Sequence, residues 1–196
     1  MSFFKSKFLE GFEKKVVLDR DTMKPRVEFV YEGYYYTSEL PEKERLARKI
    51  AHTVIFLACT AVHIYAMTLK CDLNRIWYLS AAEIIMIFDY LGLAVSTFEK
   101  AVSKRKMAVW EYRMSSVSLK EFSLIGVGVY LLLAVMWLIR LISARPAVPL
   151  RELAALGLYA ACCAALWANY RIEKTARYSE KKSDDVLHGI DITNDL

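Results

Sequence analysis

The stretch IWYLSAAEIIMIFDYLGLAVSTF, residues Ile76–Phe98, decides the architecture of this chain. A bilayer core of about 30 Å needs roughly 20 mostly apolar residues in a helix, and this stretch is long enough. It also carries Glu83 and Asp89, which argue against it. Leaving it out would strand Trp77 through Ile87 in water and put the basic loop that follows on the wrong side. Counting it gives four spans, the others being Ile50–Leu69, Phe122–Ile142 and Leu150–Tyr170. The expected fold is all-α and integral to the membrane: a bundle of four transmembrane helices, with a small cytosolic β-hairpin element near the N-terminus.

The averages conceal this arrangement. Over 196 residues the chain is 56% hydrophobic and 25% charged, with a mean hydropathy of +0.23. Those figures could describe a soluble domain, but the charges crowd between long uncharged stretches. Such segregation excludes a single soluble globule, a disordered chain and a disulfide scaffold. Orientation follows from the basic residues. The first 49 residues carry 11 Lys or Arg, Glu99–Lys120 carries 6 and the tail from Arg171 carries 5. The two remaining connections carry 2 (Lys70, Arg75) and 3 (Arg140, Arg145, Arg151). Both termini and the middle loop are therefore expected in the cytoplasm. No charged head, apolar run and small-residue cleavage site open the chain, so the first span is expected to direct insertion itself. Compactness and lysine-rich flanks tilt the expected location to the inner (plasma) membrane of a bacterium.

Three regions result: residues 1–40 with an interfacial helix and the hairpin, a bundle over 41–182 with its middle loop at 99–120, and a tail over 183–196. In Met1–Lys15, Phe4, Phe8 and Phe12 recur every fourth residue among lysines, a pattern for a short interfacial helix. Lys5 and Lys7 there, and Lys104, Arg105 and Lys106 in the middle loop, suit anionic lipid headgroups better than nucleic acid. Lys15–Asp19 is β-prone. Arg26–Tyr31 alternates, Glu32–Gly33 reads as a two-residue loop, and Tyr34–Thr37 returns as the second arm of a hairpin. Met107–Met114 also alternates and can join these strands in one sheet, with an interfacial helix over Trp110–Met114 as the alternative. Pro41 fits the first turn of the first helix, Ser118-Leu-Lys-Glu121 is a capping-box pattern, and Pro149 can open the fourth helix.

Four ionisable residues within the spans are the candidate functional groups: His52, His63, Glu83 and Asp89. Folding the first two spans into an antiparallel hairpin makes Glu83 the natural neighbour of His63 and leaves Asp89 without an acid or base opposite. His52 and His63 share a face but stand about 16 Å apart along it, too far for one metal. Such groups serve a proton or cation pathway, or they fasten helices together by hydrogen bonds. In the fourth span Ala154, Gly157, Ala161, Ala164 and Ala168 form an unbroken small-residue seam, fit for close packing within the bundle or against a partner. Cys59, Cys71, Cys162 and Cys163 lack metal spacing and read as small apolar fillers. No catalytic signature occurs, and no cofactor is expected.

The expected function is non-enzymatic: a small accessory or scaffold subunit docking on a larger membrane complex, through a membrane-protein partner or self-association. The competing expectation is an oligomeric proton-coupled transporter or channel using Glu83, Asp89 and His63. The basic asymmetry gives a direct test. A cysteine placed near Pro41 or at Ser116 is expected to react only with reagents that reach the cytoplasm, while Cys71 is labelled from outside. External labelling of the first two positions would reverse the topology.

Overall fold

The computed structural model describes residues 12–18, 25–31, 33–70, 76–144 and 150–182. Four long helices dominate: α1 (Glu42–Thr68), α2 (Trp77–Val102), α3 (Ser118–Ala144) and α4 (Leu150–Lys174). Each is long and apolar enough to cross a bilayer. Pro41 precedes α1 with its φ at −56°, and Glu42 and Glu44 occupy the first turn, where the helix dipole favours acids. Leu69, in extended conformation, ends it. The capping-box serine, Ser118, opens α3. Two helices run further than the apolar stretches that announce them: α2 continues past Phe98 to Val102, and α4 past Tyr170 to Lys174.

The helices close a ring in chain order, each packing against its two sequence neighbours and α4 returning to α1. Leu79, Met86 and Leu93 of α2 point inward with Leu119, Leu133 and Trp137 of α3 and Ala155 and Leu166 of α4. The outside is as apolar as the inside: Leu57, Ile64, Phe88, Leu91, Leu132 and Ile139 are among many large hydrophobic side chains left exposed. The interior, by contrast, holds Lys100, Glu83, Asp89, Glu152 and Glu173 as buried groups. A water-soluble bundle has the opposite distribution.

The chain divides into two compact units. One comprises Leu40–Val102 and Met114–Ala176, the bundle; the other gathers described parts of Met1–Glu39, Ser103–Arg113 and Arg177–Leu196. In the second, β1 (Phe12–Leu18) pairs antiparallel with β2 (Pro25–Tyr31), from Phe12 opposite Tyr31 to Leu18 opposite Pro25. A separate sheet has the order β4-β3-β5, with β3 (Tyr34–Ser38) between β4 (Lys106–Ala108) and β5 (Tyr178–Lys182), antiparallel to both. Tyr112 stacks on Tyr36 at 4.1 Å between ring centroids and meets Tyr178 edge-on at 4.9 Å, so the one-turn helix Val109–Tyr112 covers the sheet.

These pairings correct three expectations. The hairpin lies between β1 and β2, not across Glu32–Gly33, because both edges of β3 are already occupied by β4 and β5. The interfacial helix over Met1–Lys15 fails at its end: Phe12–Lys15 belong to β1, and the residues before them lie outside the described part. The alternation over Met107–Met114 yields a strand only to Ala108. There the Glu111 carboxylate accepts the Ala108 backbone N–H at 3.1 Å and starts a helical turn, followed by a π-helical turn over Arg113–Val117. The joining of the N-terminal segment to the middle loop in one sheet does occur, through β3 and β4. Ser116 is buried, so Lys104, exposed in the same loop, is the position for topology labelling.

Gly126 marks a close approach of α3 to both α2 and α4. A Cβ at Gly126 would stand 2.6 Å from Leu166 Cδ1 and 2.8 Å from Asp89 Oδ2, whereas at Gly128 it would meet nothing within 4 Å. Gly126→Ala is expected to destabilise the bundle by about 1–3 kcal/mol through overpacking. Gly128→Ala should leave the thermal midpoint in detergent unchanged or slightly raised. Equal midpoints for the two variants would contradict this packing.

Candidate functional site

The buried polar groups sort into networks that cross the bundle. At one end, Glu173 of α4 is the hub. Lys100 Nζ lies 2.7 Å from Glu173 Oε1, and His52 Nε2 lies 3.2 Å from Oε2. Lys100 also donates to Ser116 Oγ at 3.1 Å. On its other side, His52 Nδ1 lies 2.6 Å from Asn169 Oδ1, and Asn169 Nδ2 donates to Ser123 Oγ at 2.9 Å. Ser123 in turn donates to the Leu119 carbonyl at 2.7 Å. Every helix thus contributes, and all these side chains are buried. Beside this network the Arg48 guanidinium donates to the Ile172 carbonyl and Thr175 Oγ1 and pairs with Glu44 at 2.8 Å, closing the last turn of α4.

A second network surrounds His63. Tyr130 Oη lies 2.9 Å from His63 Nδ1 and 3.0 Å from Tyr90 Oη. The Tyr159 hydroxyl donates to Glu83 Oε1 at 2.7 Å. The rings of Tyr90, Tyr130 and Tyr159 stand 5.3, 5.9 and 5.7 Å from the His63 ring, so three phenols enclose one imidazole. Cys59 and Cys162 meet in the same region across the α1–α4 contact. Further along, Trp137 Nε1 donates to Glu152 Oε2 at 3.1 Å, and Arg140 Nη1 lies 3.6 Å from Oε1.

Asp89 stands apart. It is 5% exposed, and neither carboxyl oxygen has a hydrogen-bond partner among the described residues. It presses against the α3 backbone at Gly126, with Leu166 and Met86 around the same point. Ser123 and Tyr130 lie about one helical turn from Gly126 in either direction, so Asp89 falls between the two networks.

Each sequence-derived candidate now has a place. His52 joins Glu173 and Asn169. His63 and Glu83 share a region but have no hydrogen bond to each other among the described residues; a tyrosine holds each, Tyr130 of α3 at His63 and Tyr159 of α4 at Glu83. Among the described residues no group of three His, Cys, Asp or Glu is placed to hold a metal ion. Of the headgroup candidates, Lys104 is exposed, while Arg105 donates to the Ser38 carbonyl at 3.5 Å and Lys106 lies 4.1 Å over the Tyr35 ring. Lys5 and Lys7 lie outside the described residues.

The small-residue seam faces outward. Ala154, Gly157, Ala161, Ala164 and Ala168 are exposed, and a Cβ on Gly157 would meet nothing within 4 Å. Packing within the chain's own bundle is therefore not its use. The inward face of α4 carries Ala155, Tyr159, Cys162, Leu166, Asn169 and Glu173, a second seam with the same alternation of three and four. The two are offset by about 140° around the helix, and the one holding polar side chains takes the interior, where their partners are. Sequence reading missed this second seam, with Lys100 and Glu173, because both charges lie just past the apolar windows that define the spans.

Comparison with protein-family models, curated proteins and solved structures finds no significant match to this chain.

The Glu173 hub has a measurable consequence. Removing one member of a buried charge pair costs about 3–5 kcal/mol, because the other is left uncompensated. Glu173→Leu should lower the thermal midpoint sharply, and adding Lys100→Met should recover much of the loss. Two losses that simply add would show that the charges do not interact.

Proposed function

We propose that this protein is an integral membrane subunit, with both termini and the middle loop in the cytoplasm of a bacterial inner-membrane protein, that docks on a larger membrane complex as an accessory or scaffold. The observation that carries the reading is the outward small-residue seam of α4. In lipid, helices associate by close van der Waals contact, which small residues permit, and five of them stand in line on a face the bundle leaves uncovered. The inside-out distribution of apolar side chains supports membrane embedding. The three-stranded sheet supports the topology. Its strands come from before α1, between α2 and α3, and after α4, and an even number of crossings delivers all three to one side.

A second reading, proton-coupled transport, draws on Asp89, a buried acid without a partner. Against it stands Asn169. A carboxamide neither takes up nor releases a proton in ordinary conditions, so a proton moving from Ser123 toward His52 stops there. The Glu173 network fastens four helices; it is not a wire. That weighs for the scaffold.

Two measurements separate the readings. Native mass determination after mild-detergent extraction should give a stable hetero-complex for the wild type. Ala161→Leu with Ala168→Leu should release the 22.6 kDa chain while leaving its thermal midpoint unchanged, since both positions are exposed. A lone chain from the wild type would sink the scaffold reading. Proton flux in reconstituted vesicles supplies the other arm: flux in the wild type that vanishes in Glu83→Gln or Asp89→Asn, at equal incorporation, would establish transport in its place.

A further inference from the structure

Asp89 takes no part in either network. Its carboxyl is 5% exposed, and no described residue offers either oxygen a hydrogen bond or a positive charge. A Cβ placed on Gly126 would stand 2.8 Å from Asp89 Oδ2, 2.6 Å from Leu166 Cδ1 and 3.5 Å from Met86 Cε. The carboxyl therefore lies against the α3 backbone between two apolar side chains. The titratable groups on every helix around it are engaged elsewhere or are neutral. On α1, His52 and Cys59 flank its level, and His52 is held by Asn169 and Glu173. On α3, Tyr130 follows Gly126 by about one turn and is bonded to His63. On α4, Cys162 precedes Leu166 by about one turn. On α2 itself, Tyr90 comes next in sequence and pairs with Tyr130. Glu83 is about 9 Å away along α2 and accepts from Tyr159, while Lys100, about 16 Å the other way, is taken by Glu173. A carboxylate here would give up its hydration and receive nothing in exchange; the protonated acid gives up far less.

We propose that Asp89 is a proton-binding site: the carboxyl keeps its proton at neutral pH and seats α2 against α3 at Gly126, and release of that proton at higher pH loosens the contact of α2, α3 and α4. Gly126 makes the seat. Lacking a Cβ, it lets the carboxyl come against the α3 backbone, and that closeness leaves no room for a water between them. A neutral acid tolerates the dry contact. An ionised one requires water or a cation, and either must part the helices to enter. The site is also terminal. No described group donates to Asp89 or accepts from it, so the proton has no bonded path onward. This is storage rather than passage, and it holds whether or not the chain docks on a partner. Folding that takes up a proton is favoured by acid, so stability falls as the pH rises.

The test takes the full chain in mild detergent and reads the infrared carbonyl stretch of protonated carboxyls, which lies clear of the amide bands. At neutral pH the wild type should show a component that is lost in Asp89→Asn and retained in Glu83→Gln. Raising the pH should remove the same component. Thermal midpoints supply the second arm. Asparagine copies the shape of the protonated acid and cannot ionise. The wild-type midpoint should therefore match that of Asp89→Asn in acid and drop progressively below it as the pH rises. Taking the difference cancels the lysines, tyrosines and cysteines that both chains share. Should the asparagine variant not fold, Asp89→Ala gives the same two readings, the second as a slope against pH. A spectrum at neutral pH that the loss of Asp89 leaves unchanged would overturn the proton site. Midpoints that run parallel across the whole range would overturn the loosening.

Discussion

The carboxylate of Glu173 constrains the rest of the bundle. Taking a charge out of water costs several kcal/mol even after relaxation, and the loss is offset only where the protein supplies partners in good geometry. Glu173 finds two, Lys100 of α2 and His52 of α1, and Asn169 and Ser123 extend the connection to α3. The helix ends follow from this. To bring Lys100 and Glu173 opposite each other, α2 and α4 must run a full turn beyond their apolar stretches, and they do. The rotation of α4 follows too. Once Glu173 and Asn169 face the axis, Tyr159 and Cys162 on the same stripe face it as well, and the alanines turn away.

The two polar networks do different physical work. Around Glu173 a lysine and a carboxylate are paired at 2.7 Å within a set of short side-chain hydrogen bonds, an arrangement that resists rearrangement because each partner's departure strands another. Around His63 the groups are phenols, an imidazole, a carboxyl and two thiols, most of which can exchange donor and acceptor roles without moving. The first is fixed in one pattern; the second can redistribute its hydrogen bonds.

Much of this was legible in the sequence, and the reasons for the rest are specific. Hydropathy located four helices, and Pro41, Ser118 and Leu150 marked three starts within a residue or so, since caps and apolar runs are local signals. That Asp89 has no acid or base opposite followed from simple level-matching of two antiparallel spans. Strand pairing was legible only in part: the joining of the N-terminal segment to the middle loop was expected and occurs through β3 and β4, while the β1–β2 hairpin and the pairing with β5 were not. Tyr34–Ser38 was recognisably a strand, but its partners lie far along the chain, and the short YSEKK segment of β5 lacks the alternation that announces a strand. Nor was the rotation of α4, where two seams of identical period compete and only the positions of His52 and Lys100 on other helices decide between them.

The pairing of β3 with β5 bears on how the chain is made. The Ser179 hydroxyl donates to the Thr37 carbonyl across 142 residues of sequence. A ribosome adding about 5–20 residues per second needs on the order of ten to thirty seconds to span that interval. During that time one edge of β3 stays open, with its backbone donors and acceptors available to any other strand. Only a chain whose last helix has been made can close it. The sheet is therefore a late event in biogenesis, and its open edge is a mark by which an unfinished or truncated copy differs from a complete one.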